Sequence, residues 1–206
     1  MYTAIDPIYR KLHEILQQRF AKRHFEGQNP FSDAEDLFKH IDLGMRVFSK
    51  QRDPLVECPY ACLEWGTTSR VQAFRMPETY RYELRLPFLI ATAEETVRVE
   101  SQTVFSADDV GVADILRRVG SFFFQNYHTG RFVEAVTPTS PDEWSWSIIN
   151  WTQRIQNPLM TSDDPDAMTV ARFQELLRDV PLLRGAQMNF YFEIEELKPI
   201  DDNFYA

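Results

Sequence analysis

The alternation of apolar and charged positions is clearest between residues 78 and 90. Aromatic and aliphatic side chains alternate there with charged ones. The apolar set is Tyr80, Tyr82, Leu84 and Leu86, and the charged set is Arg81, Glu83 and Arg85. Because successive side chains of a strand point to opposite faces, this period of two predicts a β-strand. We expect a small, mainly antiparallel β-sheet organised on this strand, with amphipathic helices covering its apolar face.

A second alternating segment lies near the C-terminus. Apolar side chains alternate there with polar and charged ones. The apolar set is Met188, Phe190, Phe192 and Ile194, and the polar set is Asn189, Tyr191, Glu193 and Glu195. This pattern predicts the strand that neighbours the first one. We expect Glu193 and Glu195 to face Arg81 and Arg85 across the sheet, where each opposite-charge pair contributes about 0.2–1 kcal/mol.

Four segments have the apolar spacing of amphipathic helices. The first follows the start signal Asp6-Pro7 and carries a stripe from Ile8 to Phe20. A Ser-x-x-Glu capping box at residues 32–35 predicts a second helix through Met45. A similar box at residues 106–109 predicts a third helix through Phe124, and residues 170–180 predict the last. Helices thus interrupt a largely antiparallel sheet, which is an α+β arrangement in one domain of residues 1–206.

Residues 131–168 are irregular and rich in aromatic side chains. They contain four prolines and three of the four tryptophans, Trp144, Trp146 and Trp151. Residues 144–148 alternate and predict a short strand or arm. A stretch of this length without clear helices is unusual in a compact domain. We therefore predict an insertion that packs on the core or on another subunit.

Composition limits the classes of function. The formal net charge is −9 and the pI is about 5.0, which argues against a protein that grips nucleic acid through Lys and Arg. A surface along which DNA merely slides stays compatible with this charge. No basic region followed by an apolar run begins the chain, and no stretch approaches the ~20 apolar residues of a membrane span. We expect a soluble protein made in a reducing cytoplasm, with no membrane contact.

The sequence nominates no catalytic or metal site. It has no Gly-rich phosphate loop, no Gly-x-Ser-x-Gly and no His-Glu-x-x-His. Its four histidines are spread along the chain without the spacing of metal ligands. Cys58 and Cys62 would lie about 13 Å apart on a strand, too far for a disulfide, and we expect two buried thiols. We predict no enzymatic activity, no metal and no cofactor; a small hydrolase would need a pocket of convergent polar groups.

The order of the predicted elements and their residue patterns resemble those of a family of bacteriophage proteins. The chain is similar to the tail terminator and related neck or tail-completion proteins of tailed bacteriophages. The resemblance is carried by the opening helix Ile8–Phe20 and by the strand Tyr80-Arg-Tyr-Glu-Leu-Arg-Leu86. The helix Asp109–Phe124 and the final strand Met188–Ile194 complete it, so that it covers about half of the chain.

This resemblance implies a structural virion protein, assembled in the host cytoplasm, that forms a homohexameric ring at the head-proximal end of the tail. Its partners would be other copies of itself, the tail tube and the neck or connector proteins. DNA would pass through the lumen without specific binding. The expected interface residues are Arg81, Glu83, Arg85, Trp144, Trp146, Trp151, Glu193 and Glu195. The alternative is a non-catalytic adaptor domain of a cellular complex, holding a protein partner through the Trp144–Trp151 arm.

Overall fold

The computed structural model describes residues 5–25, 27–44, 58–64, 67–69, 79–93, 96–99, 102–105, 111–127, 132, 146–156, 168–180 and 182–197. The helices there are α1 (Ile5–Phe20), α2 (Val112–Asn126) and α3 (Met168–Asp179), with a 3-10 turn at Lys22–His24. The strands are β1 (His40–Leu43), β2 (Tyr60–Leu63), β3 (Thr67–Ser69), β4 (Thr79–Ala93), β5 (Thr96–Val99), β6 (Gln102–Phe105), β7 (Trp146–Gln156) and β8 (Leu183–Leu197). The predicted α+β class is confirmed.

The main sheet is centred on β4 and β8, the two strands whose alternation is clearest in the sequence. Its order is β1-β2-β4-β8-β7, and β3 also pairs with β4. β1 runs parallel to β2, while the other pairs of this sheet are antiparallel. β4 and β8 are each 15 residues long and pair without a break from Thr79–Leu197 to Ala93–Leu183. β5 and β6 form a separate hairpin.

One face of this sheet, the inner face, packs against α1 and α2. Six of the apolar residues whose alternation predicts the two strands are buried on it, namely Leu84, Leu86, Met188, Phe190, Phe192 and Ile194, together with Phe88 and Ile90. From α2, Phe123 places its ring 5.0 Å from that of Phe190. Complete burial of one such side chain stabilises the fold by about 1.5–3 kcal/mol. The inner face therefore holds most of the hydrophobic core.

The first predicted helix is confirmed as α1. Its apolar stripe is fully buried in the main core through Ile8, Leu12, Ile15 and Leu16. The Tyr9 hydroxyl donates a hydrogen bond of 2.8 Å to the main-chain oxygen of Leu63 in β2. This bond satisfies a buried phenol and fixes the helix against β2.

The second predicted helix, residues 32–45, is wrong. Residues 32 and 33 form a turn, Asp36 makes an isolated bridge with Ala21, and residues 40–43 form β1. Apolar side chains at 37, 38 and 41 fit the helical period and are buried, but short apolar runs do not distinguish a helix from a strand. Met45 lies outside the described residues.

The reason lies in the partners of this backbone. The amide of Phe38 donates to the main-chain oxygen of Phe20 at 3.0 Å, and that of Lys39 donates to Pro59 at 2.8 Å. The carboxylate of Glu35 pairs with Arg19 of α1 at 3.2 Å and with Arg118 of α2 at 2.8 Å. Bonds to three other parts of the chain therefore outweigh the local helical preference.

The third and fourth predicted helices are present as α2 and α3, with shifted starts. α2 begins after Gly111, which provides no side-chain cap, and the predicted capping box at residues 106–109 lies outside the described residues. Among the three adjacent phenylalanines of α2, Phe122 and Phe123 are buried while Phe124 is 75% exposed. A helix cannot turn three consecutive side chains to one face, which explains this division.

α3 covers one end of the opposite, outer face of the sheet. Its Phe173 and Leu177 form a second hydrophobic cluster with side chains of the sheet and of the segment before β2, Cys58, Tyr60, Cys62, Leu89, Ala91 and Leu183. The approach is close at Gly185 of β8, where a Cβ atom would lie 2.7 Å from both methyl carbons of Leu177. Glycine at this position is what lets the helix reach the sheet.

Part of the predicted insertion belongs to the main sheet. Within residues 131–168, Trp146–Gln156 forms β7, which pairs with β8 over most of its length and is interrupted by a bulge at residue 149. Phe132 is fully buried and places its ring 5.0 Å from that of Phe192. Residues 133–145, which include Trp144, and residues 157–167 lie outside the described residues.

Candidate interaction surface

Beyond the cluster under α3, the outer face of the sheet carries charged side chains. We call this region the charged face and define it by seven residues, Arg81, Glu83, Arg85, Arg154, Tyr191, Glu193 and Glu195. Six of them come from β4 and β8, on the side opposite the inner core, and Arg154 comes from β7. Arg81 and Arg154 are exposed, and the other five are half-buried. The charged face is thus a surface that the alternation of both central strands produces.

The first row of the charged face is an ion pair. Arg81 lies directly across from Glu195, and its Nε is 3.5 Å from Oε1 of that carboxylate. The two side chains are 44% and 25% exposed, so solvent screens the attraction. The predicted pairing of these two residues is confirmed.

The second row is acidic. Glu193 lies directly across from Glu83, and Asn150 of β7 follows on the other side of β8. Like charges in directly opposed positions destabilise a sheet, by an amount comparable to the gain from an opposite-charge pair. The predicted placement of Glu193 against an arginine therefore differs from the observed register.

The third row is basic and aromatic. Arg85 lies across from Tyr191, and the guanidinium of Arg154 stands 5.1 Å from the centre of the Tyr191 ring. This cation–π contact places the positive charge of Arg154, which belongs to the edge strand β7, over β8. Along the strands, an acidic row therefore lies next to a basic one.

Of the tryptophans proposed as contact residues, Trp151 does not join the charged face, and Trp144 lies outside the described residues. Trp151 is buried in the inner core, where its ring is stacked on that of Phe192, 6.1 Å away, and is tilted against that of Phe132, 5.5 Å away. Trp146 begins β7 opposite Glu196. The sequence analysis missed Arg154 and Tyr191 as members of the surface. The alternation of β8 placed Tyr191 on this face, whereas Arg154 required knowing that β7 pairs with β8.

A row of buried polar groups separates the charged face from α3. Gln187 and Asn189 are both almost fully buried, and Nε2 of the first donates to Oδ1 of the second at 2.7 Å. Towards the β1 edge, the thiol of Cys62 lies 3.2 Å from Oε1 of Glu64 and 3.1 Å from the main-chain oxygen of Gly44. The Tyr60 hydroxyl donates to Asp42 at 3.2 Å.

These buried groups do not have the properties of a catalytic nucleophile. Burial, and then the nearby carboxylate of Glu64, raise the pKa of the Cys62 thiol well above its usual value. Burial raises the pKa of Tyr60 in the same way. Because the thiolate is the reactive form, a thiol held protonated in the interior is inert. The row is best understood as hydrogen-bonded structure.

Metal-binding clusters and membrane-spanning helices can be looked for only in the part of the chain that the structure describes. There, no three His, Cys, Asp or Glu side chains are grouped so as to hold a metal ion. None of the helices in those residues is long and apolar enough to span a membrane. Comparison with family models, with curated proteins and with solved structures finds no match to this chain.

Proposed function

We propose that this protein is a structural virion component that forms a ring at the head-proximal end of a phage tail, joins the tail tube to the neck and lets DNA pass. The observation that carries the proposal is the charged face. Charges arranged in alternating rows on two rigid strands give complementary contacts, which set the register and partner of a subunit. The function is thus one of assembly rather than catalysis.

The rest of the chemistry supports this assignment. The thiol of Cys62, 3.2 Å from Oε1 of Glu64, is fully buried and held protonated. The core is closed by rigid aromatic packing around Phe123 and Phe192, which suits a subunit that keeps its shape in a larger structure. The resemblance to tail terminator and neck proteins supplies the particular assembly.

The acidic balance supports the proposed relation to DNA. A net charge of −9 repels the phosphate backbone, and repulsion favours passage through a lumen over adhesion to its wall. We expect the purified protein to leave the mobility of double-stranded DNA unchanged at low salt, where electrostatic binding is strongest.

The proposal is tested by solution mass and by imaging. We expect light scattering over a range of concentrations to give the mass of six copies of the 24.2 kDa chain. If assembly needs the tube, electron microscopy of the protein mixed with tail tubes should show a ring at one tube end. Bovine albumin of the same net mass concentration serves as the control for adhesion to tubes. A protein that forms no ring and ignores tail tubes would contradict the proposal and favour the adaptor alternative.

A further inference from the structure

Exposed apolar side chains gather at the β7 end of the main sheet. Among the described strands, β7 is the outermost one on the side of β8. Five large apolar side chains are exposed in the described residues, and three of them, Ile149, Ile155 and Phe124, lie on β7 or on the helix that packs over it. Their exposed fractions are 39%, 60% and 75%. An apolar group of this kind along a strand edge indicates a contact with another chain.

Phe124 of α2 extends towards the outer edge of β7. Its neighbour Phe123 faces the sheet, with a ring 6.3 Å from that of Trp151 in β7. Phe122 points to α1, where its ring is 5.3 Å from that of Phe20. Because consecutive helix residues are rotated by about 100°, Phe124 lies on the flank of α2 opposite to Phe122. It therefore points away from α1 and over the end of the sheet.

β7 has few of the features that keep edge strands from pairing with other chains. Such strands are commonly protected by short length, by lysine or proline, or by a bulge. β1, at the opposite end of the sheet, has only four residues, His40–Leu43. β7 has 11 residues and contains no lysine, proline or acidic residue. Its bulge lies at residue 149 and leaves residues 150–156 in regular register. β7 is thus the edge of this sheet that suits a further strand.

The residues of β7 are arranged almost symmetrically about Thr152. Residues 149–155 read Ile-Asn-Trp-Thr-Gln-Arg-Ile. If two such strands pair antiparallel with Thr152 opposite Thr152, Ile149 of each copy lies opposite Ile155 of the other. Both exposed isoleucines of the strand are then covered twice in one contact. Pairs of threonines across antiparallel strands also stabilise a sheet.

Charge favours the same register. Arg154 is the only charged residue of β7, and it would lie opposite the neutral Asn150. The two Arg154 side chains would stand four positions apart, about 13 Å. A chain of net charge −9 repels a second copy at most orientations. β7 carries none of the acidic residues that cause this repulsion, so two copies can approach each other along it.

We propose that β7 of one chain pairs antiparallel with β7 of a second copy, about a two-fold axis that passes through Thr152 perpendicular to the sheet. The two main sheets then form one continuous sheet, with both inner faces on the same side. Phe124 of each copy extends over the junction. The contact lies at the edge and leaves the charged face uncovered, so it does not use the surface on which the proposed function rests. The inference does not depend on that function.

Other pairings of the edge satisfy fewer groups. β1 of a second copy offers only four residues to a strand of 11, so most of β7 would stay open. An antiparallel register centred on Arg154 would oppose two guanidinium groups, and like charges in opposed positions destabilise a sheet. The register centred on Thr152 avoids both costs. Because the contact is small, we expect a Kd on the order of 1–100 μM.

Cysteine substitution tests the register. Thr152→Cys places two cysteines in opposed positions, where the Cα atoms of antiparallel strands are about 4.5–5.5 Å apart and a disulfide can form. Asn150→Cys is the matched control, because its two copies stand about 13 Å apart. Both positions are exposed, and the native thiols of Cys58 and Cys62 are buried. Under mild oxidation we expect covalent pairs with Thr152→Cys alone, measured by electrophoresis without reductant.

Sedimentation equilibrium tests the strength of the contact. It compares the wild type with Ile155→Lys and with Leu43→Lys, which changes an exposed residue of the other edge strand, β1. Lysine on an edge strand opposes pairing, and each pair contains the altered contact twice. We expect Ile155→Lys to weaken self-association by about tenfold or more, and Leu43→Lys to pair as the wild type does. Far-ultraviolet circular dichroism establishes that each variant is folded.

Three results would overturn the inference. The first is a wild-type chain that stays monomeric up to about 100 μM. The second is cross-linking of Asn150→Cys as readily as of Thr152→Cys. The third is an association that Leu43→Lys weakens and Ile155→Lys does not. A ring on tail tubes from a chain that forms no pairs keeps the proposed function and refutes the two-fold contact, whereas pairs without any ring do the opposite.

Discussion

Glu83 of β4 and Glu193 of β8 face each other directly across the two central strands. Two residues along, Arg81 and Glu195 form an ion pair at 3.5 Å. Removing one charge of the acidic row should therefore stabilise the monomer, while removing one charge of the ion pair should destabilise it. We expect Glu193→Gln to raise the free energy of unfolding and Glu195→Gln to lower it, each by about 0.2–1 kcal/mol.

Urea denaturation at low protein concentration measures this difference, so that any contact between chains does not contribute. Raising the salt concentration should shrink both effects, because solvent-exposed charges are screened. A lower free energy of unfolding for Glu193→Gln would show that the acidic row does not cost stability.

Gly185 should not accept a side chain. A Cβ atom there would lie 2.7 Å from both methyl carbons of Leu177 and 2.8 Å from the ring of Phe173. These side chains are buried, so Gly185→Ala must displace α3 or strain its side chains. We expect the free energy of unfolding to fall by about 1–3 kcal/mol, measured by chemical denaturation.

Gly120 of α2 provides the matched control for this substitution. A Cβ atom there would come no closer than 3.8 Å to a neighbour, Cε of Met188. Because glycine in a helix interior costs about 0.5–1 kcal/mol relative to alanine, Gly120→Ala should stabilise the protein. Destabilisation of similar size by both variants would remove the steric explanation for Gly185.

His13 should make stability depend on pH. Burial lowers its pKa below the ordinary value of 6.5, although the main-chain oxygen of Ile41, 2.8 Å from Nε2, and the carboxylate of Asp42 act in the opposite direction. The unfolded chain therefore binds the proton more readily than the folded one. Stability should be complete above pH 6.5 and should fall as the pH drops through 6.5 towards the folded pKa.

The measurement compares the free energy of unfolding of the wild type and His13→Asn between about pH 7.5 and 5. The variant cannot titrate in this range, so its stability should fall less steeply. Carboxylates contribute equally to both proteins and cancel in the comparison. Identical pH profiles would show that His13 is not held neutral.

The cysteines should be unreactive in the folded protein. Both thiols are buried, and burial raises the pKa of Cys62 further from neutrality. We expect a thiol reagent at about pH 8 to modify neither residue over minutes, and to modify two thiols per chain in denaturant. Cys58→Ser isolates the response of Cys62. Rapid modification of this variant in the absence of denaturant would contradict the described burial.

The sequence predicts correctly those elements whose residue pattern depends on a single strand or helix. The alternation around Leu84 and Phe190 required only that one face be buried, and the structure buries both residues on the inner face. The stripe of α1 is similar. Such patterns reflect the local geometry of a strand or helix, which depends on residues that are close together in the sequence.

What the sequence did not reveal depends on partners distant in the chain. Residues 37–41 match a helix, yet the amides of Phe38 and Lys39 donate to α1 and to Pro59 instead of to a helical turn. Arg154 belongs to the charged face because β7 pairs with β8, a register that no local pattern encodes. The opposition of Glu83 and Glu193 is likewise a matter of register, since a shift by one position changes every cross-strand pair.

The pairing of β4 with β8 has a consequence for synthesis. These strands are the centre of the main sheet, yet they occupy residues 79–93 and 183–197 of the chain. Pairing of strands so far apart in the sequence is slow, because the chain between them loses conformational entropy before the strands meet. On the ribosome, β4 must wait until residue 197 has emerged before its hydrogen bonds to β8 are complete. Nascent chains that stop earlier present a long strand with an apolar face and an open edge, which chaperones bind.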